Sequence, residues 1–324
     1  MMTSHISPPF NLSFTEASFF GLGNLGVAQC LLDHGTPILS QMQAVGGASS
    51  SAVVAAVMAT APQKLAELLY GLYEIVDEIS PLPFGAITPG FDFIGRLRAL
   101  LERLLPPNAH ELASKKLFVK ATGLMLADKF SPLTVHDVDQ GTSSCIRTKG
   151  PKIFEVGARA WTLGHEMQIS NFGSREDLVE TILGSIFVPW FPDWSPPSCN
   201  GKYIGDVALS RKENFTGDVT FNFPAGSLIK ISPNPKNRLS MRDKIACGWV
   251  DTSGQRFDIS ALQMYRIGDG LYPPPKAYME TYFADGYEDA TKFLKFYHIY
   301  EANNKGYEPR QDSYAAVHSV EDLR

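Results

Sequence analysis

The chain has 324 residues, 44% of them hydrophobic and 19% charged, with 29 basic and 34 acidic side chains and a net charge of −5. That balance suits a globular protein with a sizeable core and excludes a disordered one. No lysine–arginine block supplies the basic face that nucleic-acid binding needs, and no apolar run approaches the roughly 20 residues that span a bilayer.

Length alone leaves one or two domains open. Cys30, Cys145, Cys199 and Cys247 form no C-x-x-C pair, so no metal site is expected and all four read as reduced thiols of a cytosolic protein. No basic stretch followed by an apolar run opens the chain, so no secretion signal is expected. Any membrane contact is expected to be peripheral.

Residues 10–14 read as a first strand, followed by a glycine-bearing turn and a helix from about Asn24 to His34. Met42 to Val45 reads as a second strand, broken by Gly46-Gly47. Ala52 to Ala59 is apolar on every side, the signature of a buried helix, and it stops near Pro62. Residues 63–79 and 94–105 carry helical periodicity. Leu117 to Leu126 reads as a strand. Residues 131–166 are polar and irregular and read as an insertion. Met167 to Asn171 resumes as a strand, and Ser174 to Asp177 is a capping box opening a helix. The Val188 to Pro197 loop holds Trp190, Phe191 and Trp194. Lys202 to Ile204 and Ser227 to Ser232 read as strands. Pro274 to Phe296 is a closing helix, and 301–324 is a polar tail. Strand and helix alternate, so the expected class is α/β: a mostly parallel sheet flanked by helices, in one domain over 1–300.

Two glycine-rich words compete for function. Gly21-Leu-Gly23-Asn-Leu-Gly26 matches the dinucleotide fingerprint G-x-G-x-x-G. Against that reading, the strand ends at Phe14, too early for the motif to follow it directly. The second strand carries no acidic residue for a ribose, and Gly23 and Gly26 fall inside the helical pattern. The other word is Gly47-Ala48-Ser49-Ser50-Ser51, close to the G-x-S-x-G elbow that exposes a nucleophilic serine on a strand-to-helix turn. Gly47 is in place, and Ser51 stands where the second glycine belongs. The helix start after Ser49 favours negative charge there.

The order of strand, turn, helix, short strand, Gly-Ala-Ser and buried helix, with its wording, resembles the patatin-like phospholipases, in their adiponutrin and adipose triglyceride lipase branch. The words include Asn11 to Phe14, Gly26-Val27-Ala28, Gly47-Ala48-Ser49, His110-Glu111, Phe187-Val188-Pro189 and Gly286-Tyr287, in the family's order over about residues 10–296. The resemblance implies a three-layer lipase fold with a nucleophile elbow and an acyl-ester hydrolase that needs no cofactor or metal. It implies a Ser-Asp dyad, here Ser49 and Asp206, without a catalytic histidine. It also implies an oxyanion turn after the first strand, here Ala17, Ser18 and Gly21, alongside the elbow residues Gly47, Ser50 and Ser51. Lipid esters or a lipid surface are the implied partners, with a protein regulator as a further one. Trp190, Phe191 and Trp194 are candidates for an apolar lip at lipid droplets or membranes.

Three words depart from the family pattern. Glu16, Ala17 and Ser18 open the turn in place of the glycines of Gly-x-Gly, and only Gly21 remains. Ser51 replaces the second elbow glycine. The family's Asp-Gly-Gly reads Gly205-Asp206-Val207, so the carboxylate comes one residue late, and one step along a strand reverses a side chain. The departures point to impaired catalysis, or to a non-catalytic relative that keeps the scaffold to bind lipid or a partner.

Overall fold

The computed structural model describes residues 6–127, 153–156, 159–188, 197–199, 202–210, 219–233, 249–251, 254–260, 273 and 275–302. Trp190, Phe191, Trp194, Cys145, Cys247, most of the predicted insertion and the tail from 303 lie outside them.

Strand β1 (Phe10–Phe14) is wholly buried. Phe10, Leu12 and Phe14 join the main core on one face, while Asn11 and Ser13 take the alternate positions. Helix α1 (Gly21–His34) and the single turn α2 (Thr36–Leu39) lead to β2 (Met42–Ala48). Helix α3 (Ser51–Thr60) is buried at every residue, as expected of a helix apolar all round. Helices α4 (Leu65–Ile79) and α5 (Phe93–Leu104) are amphipathic and pack on each other. Short α6 (Ala109–Ala113) precedes β3 (Leu117–Ala127).

Strands β4 (Ile153–Val156) and β5 (Arg159–Ile169) pair antiparallel, and β5 pairs antiparallel with β3. Strand β5 thus begins inside the stretch read as irregular, because its register partners on β3 carry it back from Met167 to Ala160, and Val156 of β4 pairs Arg159. Helix α7 (Arg175–Ile186) opens on Ser174, whose Oγ accepts the Asp177 N–H at 3.0 Å. Strands β6 (Ser198–Cys199), β7 (Lys202–Gly205), β8 (Ser227–Ser232), β9 (Trp249–Asp251) and β10 (Gly254–Ser260) precede the long α8 (Lys276–Phe296).

The strand order is β4-β5-β3-β2-β1-β8-β10-β9. The centre, β3-β2-β1-β8-β10, is parallel throughout, and antiparallel strands join at both rims. The fold is therefore α/β with a mixed sheet. Helices α1, α3 and α8 lie over the face carrying Leu12, Val45 and Ile229. The other face, with Ala44, Ala48 and Phe118, is covered by the extended segment Val219–Phe223.

Helices α1 and α8 cross so closely that their backbones touch. A Cβ on Gly26 would lie 2.0 Å from the Phe283 carbonyl oxygen, and one on Gly286 would lie 2.0 Å from that of Gly23. This contact requires glycine at Gly26, one of the three fingerprint glycines, and at Gly286 on α8. The helix starts at Gly21 rather than Asn24. No helix among the described residues is long and apolar enough to cross a membrane.

Candidate active site

The parallel strands β1 and β2 end together, with Phe14 opposite Gly47 in the register. At the carboxyl end of β2 the chain turns into α3 through Ser49, which has φ 55. This left-handed conformation is uncommon for a residue with a side chain and is the mark of a strained turn. Gly47 is required there for room: a Cβ would lie 2.4 Å from the Ser51 carbonyl oxygen and 2.7 Å from the Ala52 nitrogen. The elbow read from Gly47, Ala48 and the buried helix is present in this geometry.

Ser49 Oγ donates to Asp206 Oδ2 at 2.6 Å. Both residues are buried, at 9% and 5% exposure. Asp206 follows the last residue of β7 and caps a 3-10 turn over Val207–Leu209, its Oδ1 accepting the Ala208 N–H at 2.8 Å. Its own N–H is held by the Phe187 carbonyl at 2.7 Å. One carboxylate oxygen is thus fixed by the backbone while the other faces the serine.

The neighbouring position explains the shift of one residue. A Cβ on Gly205 would meet Leu209 Cδ1 at 2.8 Å and Leu124 Cδ1 at 3.0 Å. Position 205 points into the apolar cluster of Leu124 and Phe187. One step along a strand would reverse the side chain, whereas a turn leaves its direction open, and the strand ends at Gly205. Beyond a strand end the alternation of faces no longer applies.

The turn after β1 contains Ala17, buried, and Ser18, exposed with φ 47, in a 3-10 turn running to Phe20. Gly21 packs on the elbow, since a Cβ there would lie 3.0 Å from Ser50 Oγ. Glu16 is buried at 2% exposure. Ser50 Oγ donates to the Ser18 carbonyl at 2.7 Å, and Ser51 Oγ to the Thr15 carbonyl at 2.6 Å. Reading Ser51 only as a small substitute for glycine missed this bond. A second residue missed from sequence is Asn24, whose Nδ2 donates to Ser51 Oγ at 2.8 Å and to the Thr15 carbonyl at 3.2 Å. Its polarity on a helix face that is otherwise apolar was the available signal.

A groove of about 550 Å³ lies at the far end of α3, lined by Lys64, Arg103, Leu105 and Arg175. Its cations are already engaged: Lys64 with Glu67, Arg103 with Glu74, and Arg175 with the carbonyls of Glu102 and Leu105.

No family model matches the chain. Among curated proteins it is 30% identical over 286 residues to patatin-like phospholipase domain-containing protein 4 of Homo sapiens, covering 88% of this chain and 96% of that protein. It is 23% identical over 291 residues to patatin-like phospholipase domain-containing protein 2 of Bos taurus, covering 88% and 50%. It is 24% identical over 290 residues to the 1-acylglycerol-3-phosphate O-acyltransferase PNPLA3 of Homo sapiens, again covering 88% and 50%. The chain thus spans nearly all of the first relative and about half the length of the other two.

Proposed function

The chain belongs to the patatin-like phospholipase domain-containing family, and on that premise we propose that it cleaves lipid acyl esters through Ser49 and Asp206. The observation that carries this reading is the 2.6 Å hydrogen bond from Ser49 Oγ to Asp206 Oδ2. Asp206 takes the Ser49 proton as Oγ attacks the ester carbonyl. The tetrahedral oxyanion forms beside the Ser50 N–H at the start of α3, where the helix dipole favours negative charge. Collapse expels the alcohol, which leaves with the proton, and an acyl group stays on Ser49. Water, or the hydroxyl of an acceptor lipid, then releases it. Ala17, Ser18 and Gly21 form the turn that completes the oxyanion site.

Acylglycerols or phospholipids are the substrates that suit the scaffold. Trp190, Phe191 and Trp194 follow closely in sequence on Phe187, whose carbonyl holds Asp206. We assign those aromatic residues to the rim that meets a lipid droplet or membrane surface. The competing reading is a non-catalytic lipid-binding scaffold, and it rests on Glu16, Ala17 and Ser18 in the oxyanion turn.

A fluorophosphonate probe separates the two. Labelling of the native protein, abolished in Ser49→Ala, is the expected result. A folded protein that resists labelling would instead favour the lipid-binding scaffold.

A further inference from the structure

The two serines that follow the nucleophile do more than tolerate a missing glycine. Each carries its hydroxyl back to the turn after β1. Ser51 Oγ reaches the Thr15 carbonyl at 2.6 Å, and Ser50 Oγ reaches the Ser18 carbonyl at 2.7 Å. Asn24, from the first part of α1, donates to Ser51 Oγ and to the same Thr15 carbonyl. Thr15, Asn24 and Ser51 are all at least 98% buried, so the bonds among them are shielded from water, while the bond from Ser50 to Ser18 lies at the surface.

The geometry points to Ser50 and Ser51 as positioning residues that clamp the oxyanion turn to the nucleophile elbow, an inference that rests on the Ser49–Asp206 reading. Peptide planarity gives the clamp its effect. The bonded carbonyls belong to the peptides 15–16 and 18–19. The amides of Ala17 and Ser18 lie on the two peptides between them. Each bonded carbonyl fixes its own planar unit, so the two peptides between are tethered at both ends and only the φ and ψ angles of residues 16–18 stay adjustable. Glycines would let such a turn adopt its shape without strain but would not hold it there. Here Ser18 sits at φ 47 with a side chain, a conformation that persists only where the surroundings enforce it. The bond from Ser50 to the Ser18 carbonyl is an enforcing contact at that residue. The loss of glycines from the turn and the gain of Ser51 in the elbow are then one exchange, a flexible turn replaced by a bolted one.

The test uses Ser51→Gly, Ser50→Ala, the double variant and Ser50→Thr in the full chain. Amide hydrogen exchange over residues 15–21 reads the turn directly, whether or not the protein is active. Fluorophosphonate acylation rates, and kcat and KM on a p-nitrophenyl ester, read the consequence. The expected result is exchange about tenfold faster in the turn, since each lost bond is worth roughly that factor. Acylation and kcat should fall about tenfold for each single variant, with KM and the pH midpoint unchanged. Ser50→Thr keeps the hydroxyl and should restore both. Unchanged exchange in Ser50→Ala and Ser51→Gly would overturn the clamp. So would faster exchange with acylation intact in an active wild type. If the wild type is never acylated, the catalytic reading falls, and the exchange result alone decides whether the turn is clamped.

Discussion

Ser49 Oγ and Asp206 Oδ2 lie 2.6 Å apart across 157 residues of sequence. The carboxylate gets there from the first position past β7, held by the Phe187 carbonyl and the Ala208 N–H. If Asp206 is the base, Asp206→Asn should lower kcat by about 100- to 10,000-fold, because the amide cannot accept the serine proton. Asparagine also caps well, so the 3-10 turn and the melting temperature should hold. Steady-state ester hydrolysis beside thermal melting checks this; full turnover in the Asp206→Asn variant would remove the base from the scheme.

Restoring the family's word should do harm. In the double variant Gly205→Asp, Asp206→Gly, the carboxylate moves to a position whose Cβ already meets Leu209 and Leu124 within 3.0 Å. A carboxylate in that apolar cluster would be buried without a partner, which costs several kcal/mol. The expected outcome is a lower urea midpoint and no probe labelling. A stable, labelled swap would show that the strand end can slip to either register.

The departures were visible in the sequence, but their consequences were not. Elements set by a single local period were legible: β1, the buried α3 and the capped α7 all stand where pattern placed them. Glycine misled at the start of α1. Three glycines in one helix run against propensity by about 1 kcal/mol each, and the crossing with α8 accounts for Gly26. Strand β10 and the first half of β5 carry weak local signals and owe their form to pairing with distant partners. Asp206 was named as the partner of Ser49, but the parity rule that argued against it stops at the strand end, which local sequence did not mark. Ser51 was judged by size, and its bond to Thr15 became visible only once β1 and α3 were brought side by side.

The glycine word of α1 makes its own prediction. Gly26→Ala and Gly286→Ala each drive a methyl to 2.0 Å from a backbone oxygen, where no rotamer can relieve it. Each should cost on the order of 2–4 kcal/mol, read as a shift in urea midpoint. If Gly26 instead cradled a dinucleotide as part of the fingerprint, the protein would bind NAD, and Gly26→Ala would lose that binding while folding normally.

The same interface fixes how stability should respond to alkali. Cys30 on α1 is fully buried against α8, its Sγ 3.3 Å from Thr291 Oγ1. Burial pushes its thiol up from 9.0 to about 12, with the Thr291 hydrogen bond opposing in part. Tyr287, which donates to Asp33 Oδ2 at 3.0 Å, is raised as well, first by burial and then by the Asp33 charge. A thiol whose folded value lies above its unfolded value holds its proton more tightly when folded. Its contribution is complete below about pH 9 and is lost as pH rises toward about 12. Urea midpoints should therefore fall between about pH 9 and pH 11 in the wild type, and the slope should flatten in Cys30→Ala. Iodoacetamide at about pH 8 should leave Cys30 unmodified in the folded protein and alkylate it in urea. Rapid alkylation of the native chain would mean that α8 parts from α1 readily, and the backbone contact at Gly26 and Gly286 would not be a rigid seam.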